Sequence, residues 1–180
     1  MNLNHRKSFL IIIFIFISIF IFQNNVYAIA ARPSKKYPDQ AKAFYGWMIK
    51  SNISYLSSID INKITSKFIT EDEIRRYCKL KMRNFIKDYK FVDTKPKHHN
   101  YNFSGFNISL YKYNDKMEIY YGLFYFNMIP YPSFKKCGKS YVYTDSIAGS
   151  DNQIRNTIKE QIDIVIELFA EDYYYMKDLK

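Results

Sequence analysis

The chain has 180 residues and carries 27 Lys+Arg against 17 Asp+Glu, a formal net charge of +10. That length suits one domain with a sizeable core and requires no second. Five scattered glycines exclude a phosphate-cradling loop, and no Gly-x-Ser-x-Gly elbow offers a hydrolase nucleophile.

The first thirty residues read as a secretory signal peptide. Asn4-His5-Arg6-Lys7 is a short charged head, Phe9 to Phe22 is an apolar run without an ionisable group, and small residues come after it. As a helix the run spans about 21 Å, short of a hydrocarbon core of about 30 Å, so it reads as a cleaved leader with no stable membrane span afterwards. Two cleavage patterns overlap beyond it, Val26-Tyr27-Ala28 and Ala28-Ile29-Ala30, which places cleavage near Ala28 or Ala30. No Cys stands directly after the run, so the lipoprotein pattern is missing. Losing Arg6 and Lys7 takes the net charge from +10 to +8 in the mature chain. The chain thus divides into a signal peptide over 1–30, a flexible lead-in over 31–37 and a single α+β domain over 38–180.

Pro38 and Asp39 suit a first helical turn, and Ala41, Phe44, Tyr45, Met48 and Ile49 recur at helical spacing, which predicts an amphipathic helix to about Ile53. Asp60 can cap a short helix through Lys67. Thr70-Glu71-Asp72-Glu73 is a capping-box pattern opening a second helix to about Asp88, with Ile74, Tyr77, Cys78, Met82, Phe85, Ile86 and Tyr89 facing inward. The period then changes to two. Phe106, Ile108 and Leu110, a turn at Asn114-Asp115, and Met117, Ile119, Tyr121, Leu123 and Tyr125 predict a β-hairpin. Pro130 and Pro132 end it, Ser140 to Thr144 offers a third strand, and Ser150-Asp151 caps a long helix with Ile154, Ile158, Ile162, Val165, Phe169, Tyr173 and Met176 on one stripe. The expected fold is α+β: N-terminal helices packed on a small antiparallel sheet of three strands, with a long C-terminal amphipathic helix after it.

In an oxidising compartment the only two cysteines, Cys78 and Cys137, are expected to form a disulfide. His98 and His99 are the only histidines beyond the leader. Neighbours in an extended segment point to opposite sides, so they do not converge on a metal. Neither a metal nor a cofactor is expected, and no catalytic residue is assigned.

Aromatic residues make up 19% of the chain, with 18 Tyr and 15 Phe. The hairpin is crowded with them. Both of its faces cannot be core unless both are covered, so Tyr111, Tyr113, Tyr120, Phe124 and Phe126 are read as a candidate binding platform for a peptide, a sugar or a partner protein. A genome poor in G and C would encode the same residue types, which also dominate the leader.

Ala43-Phe44-Tyr45-Gly46-Trp47, Lys67-Phe68-Ile69-Thr70 and Asp88-Tyr89 resemble a family of bacterial envelope proteins of unknown function with a nuclear-transport-factor-two-like fold. The resemblance covers about 39–89. It implies a cone of helices against a curved sheet and a non-catalytic envelope protein in which Phe44, Tyr45 and Trp47 pack the core. Such domains usually finish on a strand, whereas this chain finishes on a helical pattern.

These readings converge on an exported, periplasmic or secreted, non-catalytic binding protein. Its partner is expected to be an envelope protein or an anionic envelope polymer, and not nucleic acid. A periplasmic immunity or inhibitor protein against a toxin, a secreted virulence factor and a small hydrolase are the alternatives.

Overall fold

A computed structural model of the chain describes residues 29–97, 100–114, 116, 118–131 and 140–179. Strand β1 (Ile29–Ala31) precedes helix α1 (Pro38–Tyr45), which tightens into a 3-10 turn over Gly46–Ile49. Pro38 is tolerated in the first turn because its missing N–H would have no partner there. The helix expected to reach Ile53 therefore ends at Ile49. Strand β2 (Ile53–Ile61) comes next, and only Thr65–Lys67 of the expected short helix is helical, as 3-10.

Helix α2 (Glu71–Phe85) opens at Thr70, whose hydroxyl accepts the Glu73 N–H at 3.2 Å. The reciprocal half of the capping box is missing. The Glu73 carboxylate instead takes Arg155 Nη2 at 2.6 Å and Lys159 Nζ at 3.0 Å, and these hold it below the usual carboxylate range, Arg155 foremost. Strand β3 (Lys90–Val92) leads to the long hairpin of β4 (Asn102–Asn114) and β5 (Ile119–Pro130). Strand β6 (Tyr141–Ser150) and helix α3 (Ile154–Asp178) complete the chain. The α3 N-cap is Gln153 rather than Ser150 or Asp151, and the Ser150 hydroxyl bonds the Gln153 side chain at 3.0 Å.

The α+β class stands, but the expected arrangement does not. Instead of three antiparallel strands beneath N-terminal helices, six strands form one mixed sheet in the order β1-β6-β5-β4-β2-β3. Neighbours along the sheet from β1 to β4 are antiparallel, while β2 runs parallel to both β4 and β3. The parallel β2–β3 pair is possible because α2 carries the chain back between them. Strand residues dominate the core: Leu56, Phe106, Ile108, Phe124, Phe126 and Tyr143 are buried against Ile74, Cys78 and Met82 of α2 and Ile158, Ile162 and Phe169 of α3.

The amino-terminal segment is tied in rather than passing freely as a lead-in. Ile29, Ala30 and Ala31 pair with Thr144, Tyr143 and Val142, and Arg32 binds Asp172 of α3. Among the described residues, no helix is long and apolar enough to cross a membrane.

Candidate functional site

Helices α2 and α3 pack on one side of the sheet, so the alternation of β4, β5 and β6 decides which side chains face outward. The hairpin register sets Tyr111 opposite Tyr121, Ser109 opposite Leu123 and Asn107 opposite Tyr125. Directly opposed residues share a face. Leu110, Ile108 and Phe106, opposite Gly122, Phe124 and Phe126, therefore look into the core, while the odd-numbered set looks out.

This register corrects the predicted platform. Tyr111 is 49% and Tyr113 72% exposed, but Tyr120, Phe124 and Phe126 are buried at 5% or less. A two-residue turn at Asn114-Asp115 would set Tyr113 opposite Lys116 and so bring all five predicted residues to one face. The strands instead shift between Lys112 and Asn114, β5 starts at Ile119, and Glu118 adopts φ 47° in the longer connection. A slip by an odd number of residues sends every β5 side chain to the other face.

The face that results carries Tyr111, Tyr113, Ile119, Tyr121, Leu123 and Tyr125, all exposed. Tyr121 sits at its centre, 5.7 Å from the Tyr111 ring and 6.3 Å from the Tyr113 ring. Across β6 the flanking positions are Thr144, Ser146 and Ala148, and across β4 they are Asn107 and Ser109. Among these opposed positions there is no Asp, Glu, Lys or Arg; Asp60, opposite Asn107, stands at the margin. An apolar centre with short hydroxyl and amide side chains around it binds by excluding water, with the tyrosine hydroxyls left to choose hydrogen-bond partners. The sequence places Tyr121, Leu123 and Tyr125 on the hairpin but not on the platform, because both faces of β5 are apolar. The one parity signal was Gly122, which fits only where the strands come close.

The remaining predicted site residues lie elsewhere. Cys78 carries a free thiol, fully buried on the inner side of α2, and burial pushes its pKa well up. Its expected partner Cys137 lies outside the described residues. His98 and His99 lie outside them as well. Among the described residues, no group of three or more His, Cys, Asp or Glu side chains gathers as a metal site. Tyr45 and Trp47 are buried, and Phe44 packs against the same core.

No protein-family model matches the chain, and no curated protein matches it. The fold is similar to that of PelC from Paraburkholderia phytofirmans, solved as a dodecamer, with TM-score 0.52 and 10% identity over 80% of this chain and 96% of that one. A point variant of the same protein matches at TM-score 0.50 and 9% identity over the same shares. A neuraminyllactose-binding hemagglutinin homolog from Helicobacter pylori stands at TM-score 0.42 and 12% identity, covering 69% of this chain and 86% of that one. At these identities the likeness is one of fold.

Proposed function

We propose that the chain is an exported, non-catalytic interaction protein of the cell envelope, and that a different envelope protein docks on its open aromatic face. The observation that carries this reading is the exposed row of Tyr111, Tyr113, Ile119, Tyr121, Leu123 and Tyr125, without a charged member in a chain that is 24% charged. Depletion of charge with enrichment of tyrosine marks the centre of protein interfaces, and large exposed apolar patches on soluble monomers are often functional. An anionic polymer would call for cations here, and the row has none. A mature charge of +8 opposes close packing of copies of the chain on one another.

The test is photo-crosslinking in host cells from a benzophenone amino acid placed at Tyr113 or Leu123. The expected result is an adduct with one identified envelope protein, lost when Tyr121→Ser and Tyr125→Ser are added. Adducts only with copies of the chain, or none at all, would overturn the docking reading. Recovery of the chain in the cytosol at full length would overturn export separately.

A further inference from the structure

At the far edge of the sheet from β1, the end of α2 and strand β3 enclose a different kind of surface. Two adjoining clefts of about 600 and 560 Å³ share Lys87 and Lys90 in their walls. The first also holds Lys79, Arg83 and Asp93, and the second Lys50 and Asp88. Five cations thus face two carboxylates. Asp93 is taken by Lys79, and also by Arg75 at 3.4 Å. Among the described residues, Lys50, Arg83, Lys87 and Lys90 make no ion pair, and all four are exposed.

We propose that this groove binds a linear anionic polysaccharide, at a site separate from the aromatic face. The cations are spread through the two clefts rather than gathered in one: Lys79 and Arg83, one helical turn or about 6 Å apart along the axis, line the first, Lys87 and Lys90 beyond the helix end line both, and Lys50 lines the second. Clefts lined by one sign of charge concentrate the opposite charge, and unpaired cations hold it with no internal contact to break. A peptide strand is a poorer fit, because β3 is only three residues long and carries Lys90, a combination that discourages strand addition. Nucleic acid is also a poorer fit, since the aromatic rings lining the first cleft, Tyr89 and Phe91, are 1% and 6% exposed and offer no stacking surface.

The experiment uses the purified mature chain with two fluorescein-labelled linear polysaccharides, polygalacturonate and phosphorylated pullulan, read by anisotropy at 20 and 300 mM NaCl. At least one polymer should bind at low salt and weaken steeply at high salt. The double reversal Arg83→Glu/Lys87→Glu should weaken it at least tenfold and flatten the salt dependence. The two polymers distinguish carboxylate from phosphate as the recognised group. The reversal Lys63→Glu/Lys67→Glu makes the same change of net charge away from the groove and should weaken binding less than threefold. Equal losses in the two double variants would overturn the groove as the site. Tighter binding of a single-stranded oligonucleotide, or of an acidic peptide, than of both polymers would overturn the occupant. Binding of none of these probes would overturn the proposal, while leaving the aromatic face untouched.

Discussion

Arg32 and Asp172 stand 140 residues apart in sequence and meet in a bidentate ion pair, with Nε 2.6 Å from Oδ2 and Nη2 3.0 Å from Oδ1. The carboxylate is 2% exposed and the arginine side chain 26%, so the pair closes the end of β1 onto the last helix at the rim of the core. Burial holds the Asp172 carboxyl above the usual carboxylate range even though Arg32 pulls the other way. The two ends of this pair are not equivalent. In Asp172→Asn the freed arginine can turn to water, whereas Arg32→Met strands a buried charge, which costs about 3 kcal/mol.

The stranded charge gives that difference a pH signature. Without Arg32 the folded-state pKa of Asp172 rises further, so between the ordinary carboxylate value and the raised one the folded state holds a proton that the unfolded state has lost. Stability of Arg32→Met therefore falls as pH rises through that window, and its deficit against the parent is smallest in acid. Urea titrations of the two variants across pH 4 to 8 measure this. A deficit independent of pH, or a larger loss in Asp172→Asn, would sink the account.

Leu123 and Phe124 are neighbours on opposite faces of β5, 60% and 0% exposed. Phe124→Ala should cost about 3–5 kcal/mol, since it opens a cavity among Phe106, Ile108 and Tyr143. Leu123→Ser should stay within about 0.5 kcal/mol, because its side chain already lies in water. Thermal unfolding of both variants reads the hairpin register directly. The reverse ranking would mean that the odd-numbered face is the core.

The elements legible in the sequence were those with a long, uninterrupted period. Helix α3 shows its apolar stripe from Ile154 to Met176, α2 shows its stripe behind the Thr70 cap, and the hairpin alternates. Strand β2 was hidden because a polar residue points inward: Ser54 is buried and bonds the Ser104 hydroxyl at 3.0 Å and the Asn102 carbonyl at 3.2 Å. A bulge between Leu56 and Ser58 then shifts its alternation. Strand β3 is too short for a period at all, and β1 falls inside a stretch read as the end of a leader. The tyrosine face is ambiguous in the sequence for a physical reason: when Tyr120, Phe124 and Phe126 alternate with Tyr121, Leu123 and Tyr125, only Gly122 and the turn distinguish which set is buried. The basic groove could not be read along the chain, because packing against β3 is what gathers Arg83, Lys87 and Lys90.

Gly122 is required by close approach rather than by its backbone angles. An added Cβ would lie 2.9 Å from Leu110 Cα and nearer still to the Ser109 carbonyl oxygen, both backbone atoms of the paired strand. Gly122→Ala must push β4 and β5 apart and should cost about 1–3 kcal/mol. Gly105 gives the contrast: a Cβ there meets chiefly the Ser58 hydroxyl at 2.6 Å, the end of a side chain that can rotate away. Gly105→Ala should therefore be the milder of the two in urea unfolding, and equal losses would count against the close approach.

Ala28 and Ala30 both satisfy the small-residue pattern for leader removal, but they leave different first strands. Ile29, Ala30 and Ala31 pair with Thr144, Tyr143 and Val142 along the edge of β6. Cleavage after Ala28 keeps all three pairs, while cleavage after Ala30 keeps only the last. The ladder bonds lost in the second case are worth about 1 kcal/mol each, and Arg32 would then sit one residue from a new ammonium group instead of at the end of a paired strand. Of the two possible mature chains, the one that begins at Ile29 should be the more stable in urea unfolding, and intact-mass measurement of the exported protein reads which one is made; equal stability would count against the β1 ladder. A mass beginning at Ala31 would show that only the Ala31–Val142 pair of β1 persists in the mature sheet, and a chain that keeps Met1 after export would show that the leader is retained.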